Sequence, residues 1–249
     1  MIEDRSVLTR AAPAPDSTLA YGPEADHVVE VRVSQRGHLR PLVIIVHGGF
    51  WRPHINRSHT GSMGAALASA GWTVASIEYR RLPGQPDVTL ADIALAIERV
   101  PEMVGDNDGR VLIVGHSAGG HLVLWAAVRA AAQLAGVLAL APAADLRLAH
   151  ERNLGDGAAA AFLGAPPESR SDLDPRRMIS PTISVAIVHG TEDAIVPIAL
   201  SESYAAAHPR TRLRRIPGAG HFALIDPPHD AWPTVNEELE RLAAPPGAR

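Results

Sequence analysis

From Leu42 to the C-terminus, short apolar runs alternate with longer stretches of helical spacing, and this alternation leaves few architectures open. Leu42–Val46 and Val111–Val114 are continuous and rich in β-branched residues, as expected of strands covered on both faces. Strand-like runs recur at 72–77, 137–141, 183–188 and 212–216. Helical spacing is found around 58–70, 89–103, 118–133, 198–207 and 230–243. In 89–103, Leu90, Ile93, Leu95, Ile97 and Val100 form the apolar face, which places Asp92 and Glu98 towards solvent. Strands separated by helices pair in parallel, because the crossover returns the chain to the same edge. The pattern predicts an α/β protein, a mostly parallel central sheet of about seven or eight strands with helices on both faces. Val28–Val33 alternates instead, as an outer strand with one solvated face would.

Residues 1–27, rich in Pro, Ala and Asp, read as an irregular N-terminal arm, 28–243 as a single domain, and 244–249 as a disordered tail. Between about 145 and 181 the strands give way to Gly, Pro and charge. Such a long interruption between core strands is uncommon as a plain loop, so a small cap over the sheet's C-terminal edge is expected there.

A hydrophobic fraction of 46% and a charged fraction of 20% over 249 residues fit a globular protein with a sizeable core. The net charge of −4 comes with dispersed Arg residues and no Lys, which points away from nucleic acid and from membrane surfaces. Cysteine is absent, which excludes disulfides, thiolate metal sites and a cysteine nucleophile. Acids at the N-terminus and the lack of an apolar segment after it make a cytoplasmic location the expectation. A homodimer is compatible with these numbers.

Candidate chemistry gathers where predicted strands end. Val111–Val114 runs into Gly115-His116-Ser117-Ala118-Gly119, a G-x-S-x-G that sets a serine on a sharp strand-to-helix turn. His47-Gly48-Gly49-Phe50-Trp51 follows strand 42–46, where Gly-Gly allows backbone N–H groups to face a developing oxyanion. The N–H of Ala118, at a helix start, is the expected second donor. Asp193, favoured over Glu192, follows strand 183–188 as a carboxylate able to orient an imidazole. His221, in the Gly-rich loop after strand 212–216, is the expected general base. Among the other histidines, His27, His38, His150, His208 and His229 read as surface residues, His116 and His121 as local hydrogen-bonding partners, and His47 as a brace for the glycine loop. The chain order Ser117, Asp193, His221 is that of α/β-hydrolase triads.

From about residue 28 to 243 the chain resembles an α/β-hydrolase of the esterase/lipase type. His-Gly-Gly-Phe-Trp at 47–51 is similar to the H-G-G-x-W signature of arylformamidases (kynurenine formamidases), and Phe50 replaces the third glycine of the H-G-G-G esterase motif. Glu78-Tyr79-Arg80 resembles the Asp-Tyr-Arg of both groups. The resemblance implies Ser117, Asp193 and His221 as a triad, and Gly49, Phe50 and Ala118 amides as an oxyanion hole, with Gly48 as a substitute. No metal or organic cofactor is needed for that chemistry. Trp51, Phe222 and Phe162 are the candidates for an apolar substrate pocket. The expected substrate is a small ester, uncharged or aromatic. Alternatives are an amide of the N-formylkynurenine kind, acyl transfer to an alcohol, and a non-catalytic binding protein on the same scaffold.

Overall fold

The computed structural model describes residues 3–34, 36 and 39–244. Eight strands form one sheet: β1 (Ser17–Ala20), β2 (Val28–Arg32), β3 (Leu42–Val46), β4 (Val74–Ile77), β5 (Val111–His116), β6 (Gly136–Leu140), β7 (Ser184–Gly190) and β8 (Arg212–Ile216). Their spatial order is β1-β2-β4-β3-β5-β6-β7-β8. β1 and β2 pair antiparallel with each other, as do β2 and β4, and every later pairing is parallel.

Helices cover both faces. On one side lie α1 (Gly61–Ser69) and α7 (Trp232–Ala243), which bury Met63, Leu67, Val235 and Leu239 against Val43, Ile45 and Val114. On the other lie α2 (Pro86–Met103) and α3 (Ala118–Arg129), which bury Ile93, Ile97, Leu122 and Val123 against Ile44, Val46 and Ile113. The alternating neighbours of one strand thus feed two separate cores, the period-two rule of a sheet covered on both faces. At the far edge, β8 carries Arg212, Arg214 and Arg215 and is only partly buried. Arg212 and Arg214 pair with Glu238 of α7, which is 1% exposed. A charged edge of this kind discourages further strand addition.

Several expectations change. The N-terminal stretch read as irregular contains β1, because Ser17–Ala20 finds four partners on β2 (Ser17 opposite Val31 through Ala20 opposite Val28). A four-residue strand has too little alternation to show itself; its partner creates it. The 145–181 interruption lacks strands, but it holds two short helices, α4 (Leu146–Glu151) and α5 (Ala158–Leu163). α6 (Ala199–Ala207) follows β7. Asp92 does not face solvent: it is 1% exposed and accepts hydrogen bonds from Arg80 (2.9 Å to Nε) and from His27 (2.8 Å). His27 and His208 are buried as well, whereas His150 and His229 are exposed. His38 and the tail beyond Ala244 lie outside the described residues.

The parallel register aligns the strand ends. Val46 lies opposite Gly115, His116 opposite Leu140, and Gly190 opposite Ile216. Every loop that carries candidate chemistry therefore leaves the same edge of the sheet.

Candidate active site

Ser117 occupies the junction of β5 and α3 with φ 59° and ψ −118°, a conformation costly for any residue with a Cβ. Three backbone hydrogen bonds hold it: its N–H donates to Leu140 O at 2.9 Å, and its C=O accepts from His121 (3.1 Å) and Ala143 (3.2 Å). The flanking glycines are required sterically. A Cβ at Gly115 would lie 2.2 Å from Gly119 O, and one at Gly119 would lie 2.2 Å from Val46 O. Both obstacles are backbone, so neither can swing aside. Gly119→Ala should cost about 3 kcal/mol, the upper range for overpacking, read as a shift of the chemical-denaturation midpoint at unchanged slope. An unshifted midpoint would mean that α3 and β3 are not in such close contact.

His221 Nδ1 donates to Asp193 Oδ2 at 2.7 Å. The carboxylate is itself anchored: Oδ1 accepts the N–H groups of Ile195 (2.9 Å) and Val196 (2.8 Å). Burial alone would push its pKa up, but the hydrogen bonds and charge of His189 and His221 outweigh that and hold it well below the usual carboxylate range. Asp193 thus stays ionised. Glu192 beside it is exposed. His189, 3.3 Å from Asp193 Oδ2, donates through Nε2 to Val196 O at 2.8 Å. Sequence reasoning missed it, although its place near the end of an apolar strand, four residues before Asp193, is a signal.

Ser117 and His221 line one cavity of about 520 Å³, together with Gly49, Phe50, His116 and Phe222. Asn153, Leu154, Gly155 and Asp156 of the inserted segment form part of its wall. His116 donates from Nε2 to His221 O at 3.1 Å, and its ring lies 4.4 Å from that of His221. Ser117 and Ala118 also touch a second, narrow apolar pocket of about 10 Å³, lined by Trp51, Ala143, Ala149, Leu154 and Val196.

The glycine loop after β3 is strained and braced. Gly49 has φ 118°, and Phe50 and Trp51 each have φ 54°. His47 donates from Nε2 to Glu78 Oε1 at 2.9 Å, and Tyr79 O–H donates to His47 O at 2.7 Å. Arg81 also pairs with Glu78. Burial would raise the Glu78 carboxyl, but His47 and Arg81 outweigh it and hold it down at about 2. Glu78, Tyr79 and Arg81 therefore anchor the loop from behind, whereas Arg80 turns away to Asp92.

The three aromatic candidates separate. Phe222 lines the main cavity. Trp51, 4% exposed, is off that cavity and reaches the narrow pocket and a separate cleft of about 90 Å³. Phe162 touches neither of the first two: it stacks on Trp51 with ring centres 4.8 Å apart and lines that 90 Å³ cleft beside it. The sequence offered no way to tell an aromatic in the wall from one behind it. Among the described residues no cluster of His, Asp and Glu could hold a metal ion, and no helix is long and apolar enough to cross a membrane.

A mostly parallel eight-strand sheet between two helical layers, with a serine on a sharp strand-to-helix turn, defines an α/β-hydrolase. The chain belongs to the BD-FAE family, which it matches over residues 31–207. It is 25% identical over 199 residues to a kynurenine formamidase of Salmo salar, covering 75% of this chain and 67% of that one. It is 27% identical over 229 residues to the esterase LipC of Mycobacterium tuberculosis, covering 75% of this chain but only 54% of the relative. The chain thus spans about two thirds and about half of these two proteins. Among solved structures, a truncated carbohydrate esterase from gut microbiota superposes with a TM-score of 0.77 at 18% identity, over 94% of this chain and 99% of that one. An acetyl ester-xyloside bifunctional hydrolase from Caldicellulosiruptor lactoaceticus gives 0.74 at 20%, over 92% and 96%.

Proposed function

We propose that this chain is a serine hydrolase that cleaves small carboxylic esters by way of an acyl-enzyme. The observation that carries this reading is the 2.7 Å bond from His221 to a buried, ionised Asp193, in a cavity whose wall also holds Ser117 on its strained turn. In the proposed reaction Ser117 Oγ attacks the ester carbonyl as His221 takes its proton, and Asp193 fixes the imidazole tautomer and stabilises the imidazolium. The oxyanion is received by the Ala118 N–H at the start of α3 and by amides of the Gly49–Phe50 turn. His221 then protonates the departing alkoxide. Water, deprotonated by the same imidazole, releases the acid and restores Ser117.

The narrow pocket beside Ser117 and Ala118 is about the size of a single water-sized group. In this reading it takes the hydrogen of a formyl or the methyl of an acetyl group, and a longer chain has to displace its walls. Across p-nitrophenyl acetate, butyrate and hexanoate, kcat/KM should therefore fall at least tenfold from the first to the last, since forcing extra methylenes against packed walls costs about 1–3 kcal/mol. A profile rising with chain length would overturn this acyl placement. The formamidase reading is kept by the same pocket, since formyl is the smallest acyl group, and by the likeness to the Salmo salar enzyme. Turnover of N-formylkynurenine beside p-nitrophenyl acetate separates the two.

A further inference from the structure

The N-terminal residues are built into the cavity wall. Glu3 Oε1 accepts the N–H of Phe222, the residue after His221, at 3.0 Å. Gly220 lies so close to this carboxylate that an added Cβ would sit 2.5 Å from it. Arg10 pairs with Asp226 on the far side of the same loop. Between these two ties, a 3-10 turn at Ser6–Leu8 inserts Val7 into the core, where it is 2% exposed. The ties set Arg5 and Leu8 in the wall of the 520 Å³ cavity, with the Arg5 guanidinium 5.9 Å from the centre of the Phe222 ring.

The charge balance of that wall is uneven. Among the described residues Arg5 has no carboxylate within ion-pair distance; Glu3 is engaged with Phe222, and Asp4 accepts from the Ser6 N–H. Arg52, the other cation, donates to Gly155 O at 2.7 Å and lies 3.8 Å from Asp156, whose side chain is almost fully exposed. Burial keeps the cavity-facing His59 and His116 imidazoles neutral at pH 7. The narrow pocket against Ser117, by contrast, carries no charged residue.

Resting on the serine hydrolase reading, we propose that Arg5 is a specificity-determining residue that binds a carboxylate on the leaving-group side of the substrate. The uncharged narrow pocket takes the acyl group, so the anion belongs in the wide cavity. The substrate class becomes a short-acyl ester of an alcohol or phenol that bears a carboxylate, in place of the uncharged ester expected from the sequence.

The test compares para-(carboxymethyl)phenyl acetate with para-methylphenyl acetate, whose leaving groups are similar in basicity, each normalised to its hydroxide-catalysed rate. The wild-type protein should favour the anionic ester about tenfold in kcat/KM at low salt, as one charge-assisted hydrogen bond allows. The preference should shrink as salt is raised, fall to about one in Arg5→Ala and invert in Arg5→Glu. Arg99→Ala, on the exposed face of α2, should keep the wild-type ratio. A wild-type ratio near one, or an Arg5→Ala ratio equal to wild type, overturns the proposal. Hydrolysis of neither ester would instead count against the esterase reading. In that event, calorimetric titration with para-hydroxyphenylacetate decides for Arg5: weaker binding by Arg5→Ala supports the role, and equal binding overturns it.

Discussion

Replacing Ser117 by alanine should lower kcat for p-nitrophenyl acetate by about five orders of magnitude, as loss of the nucleophile does in serine hydrolases. The fold should survive. The side chain lies at a turn held by backbone bonds from Ser117 N–H to Leu140 O and from His121 and Ala143 to Ser117 O, none of which needs the hydroxyl. Alanine must adopt the same φ of 59°, so its stability should match that of serine. Glycine need not bear that strain. Ser117→Gly should be equally inactive yet more stable by about 1 kcal/mol, the lower end of the cost of such a backbone. Denaturant melts of the three proteins, beside their rates and the initial burst of p-nitrophenol, check both halves. Near wild-type turnover in Ser117→Ala would remove the proposed mechanism; a Ser117→Gly protein less stable than wild type would show that the turn is not strained.

The second large effect is on stability in mild acid. Burial pushes the His59 and His121 imidazoles down to about 4 and carries His116 well below its ordinary value. His121 donates from Nε2 to Leu173 O at 2.8 Å, while among the described residues its Nδ1 and the Nδ1 of His116 have no partner. A second proton on either ring would be buried without an acceptor. As pH falls from 6.5 to 4, the unfolded chain takes up these protons and the native protein does not, so stability is lost through that window. For His59 and His121 together, the shift from 6.5 to about 4 corresponds to roughly 7 kcal/mol. Asp174 opposes this. Burial raises its carboxyl to about 6, so it binds a proton natively before the unfolded chain does and returns roughly 3 kcal/mol as pH falls. Glu78 and Asp193, both held low, withdraw stability only below the ordinary carboxylate range. The net expectation is a fall in Tm of about 5 to 10 °C between pH 7 and pH 4.5. In His121→Gln, whose amide can still donate to Leu173 O, the slope should lessen by about one proton. A flat Tm over this interval would mean that these imidazoles are not buried in neutral form.

Much of the site is legible locally. A glycine on either side of Ser117 answers to backbone atoms of the next elements, and a strand followed by a turn and a helix is written in about a dozen consecutive residues. The loops at Gly49, Asp193 and His221 each follow a strand, and parallel pairing brings every strand end to one edge, so chain order alone foretold their meeting. Burial of polar groups was not legible. Asp92 falls on what helical spacing marks as the wet face of α2, yet Arg80 and His27, remote in sequence, enclose it. His189 looks like one more residue of an apolar strand until Asp193 folds back beside it.

The periodicity of side chains and the order of motifs thus specify an α/β sheet, a serine turn and the residues that gather around it, because those properties depend on near neighbours and on strand direction. Which aromatic lines the cavity, which carboxylate is desolvated, and that Glu3 and Arg10 fasten Arg5 beside Phe222 depend on contacts between segments up to 219 residues apart. Such contacts leave no periodic trace in the chain, since a salt bridge or a close-packed turn requires only complementary groups at the point where the packed elements meet.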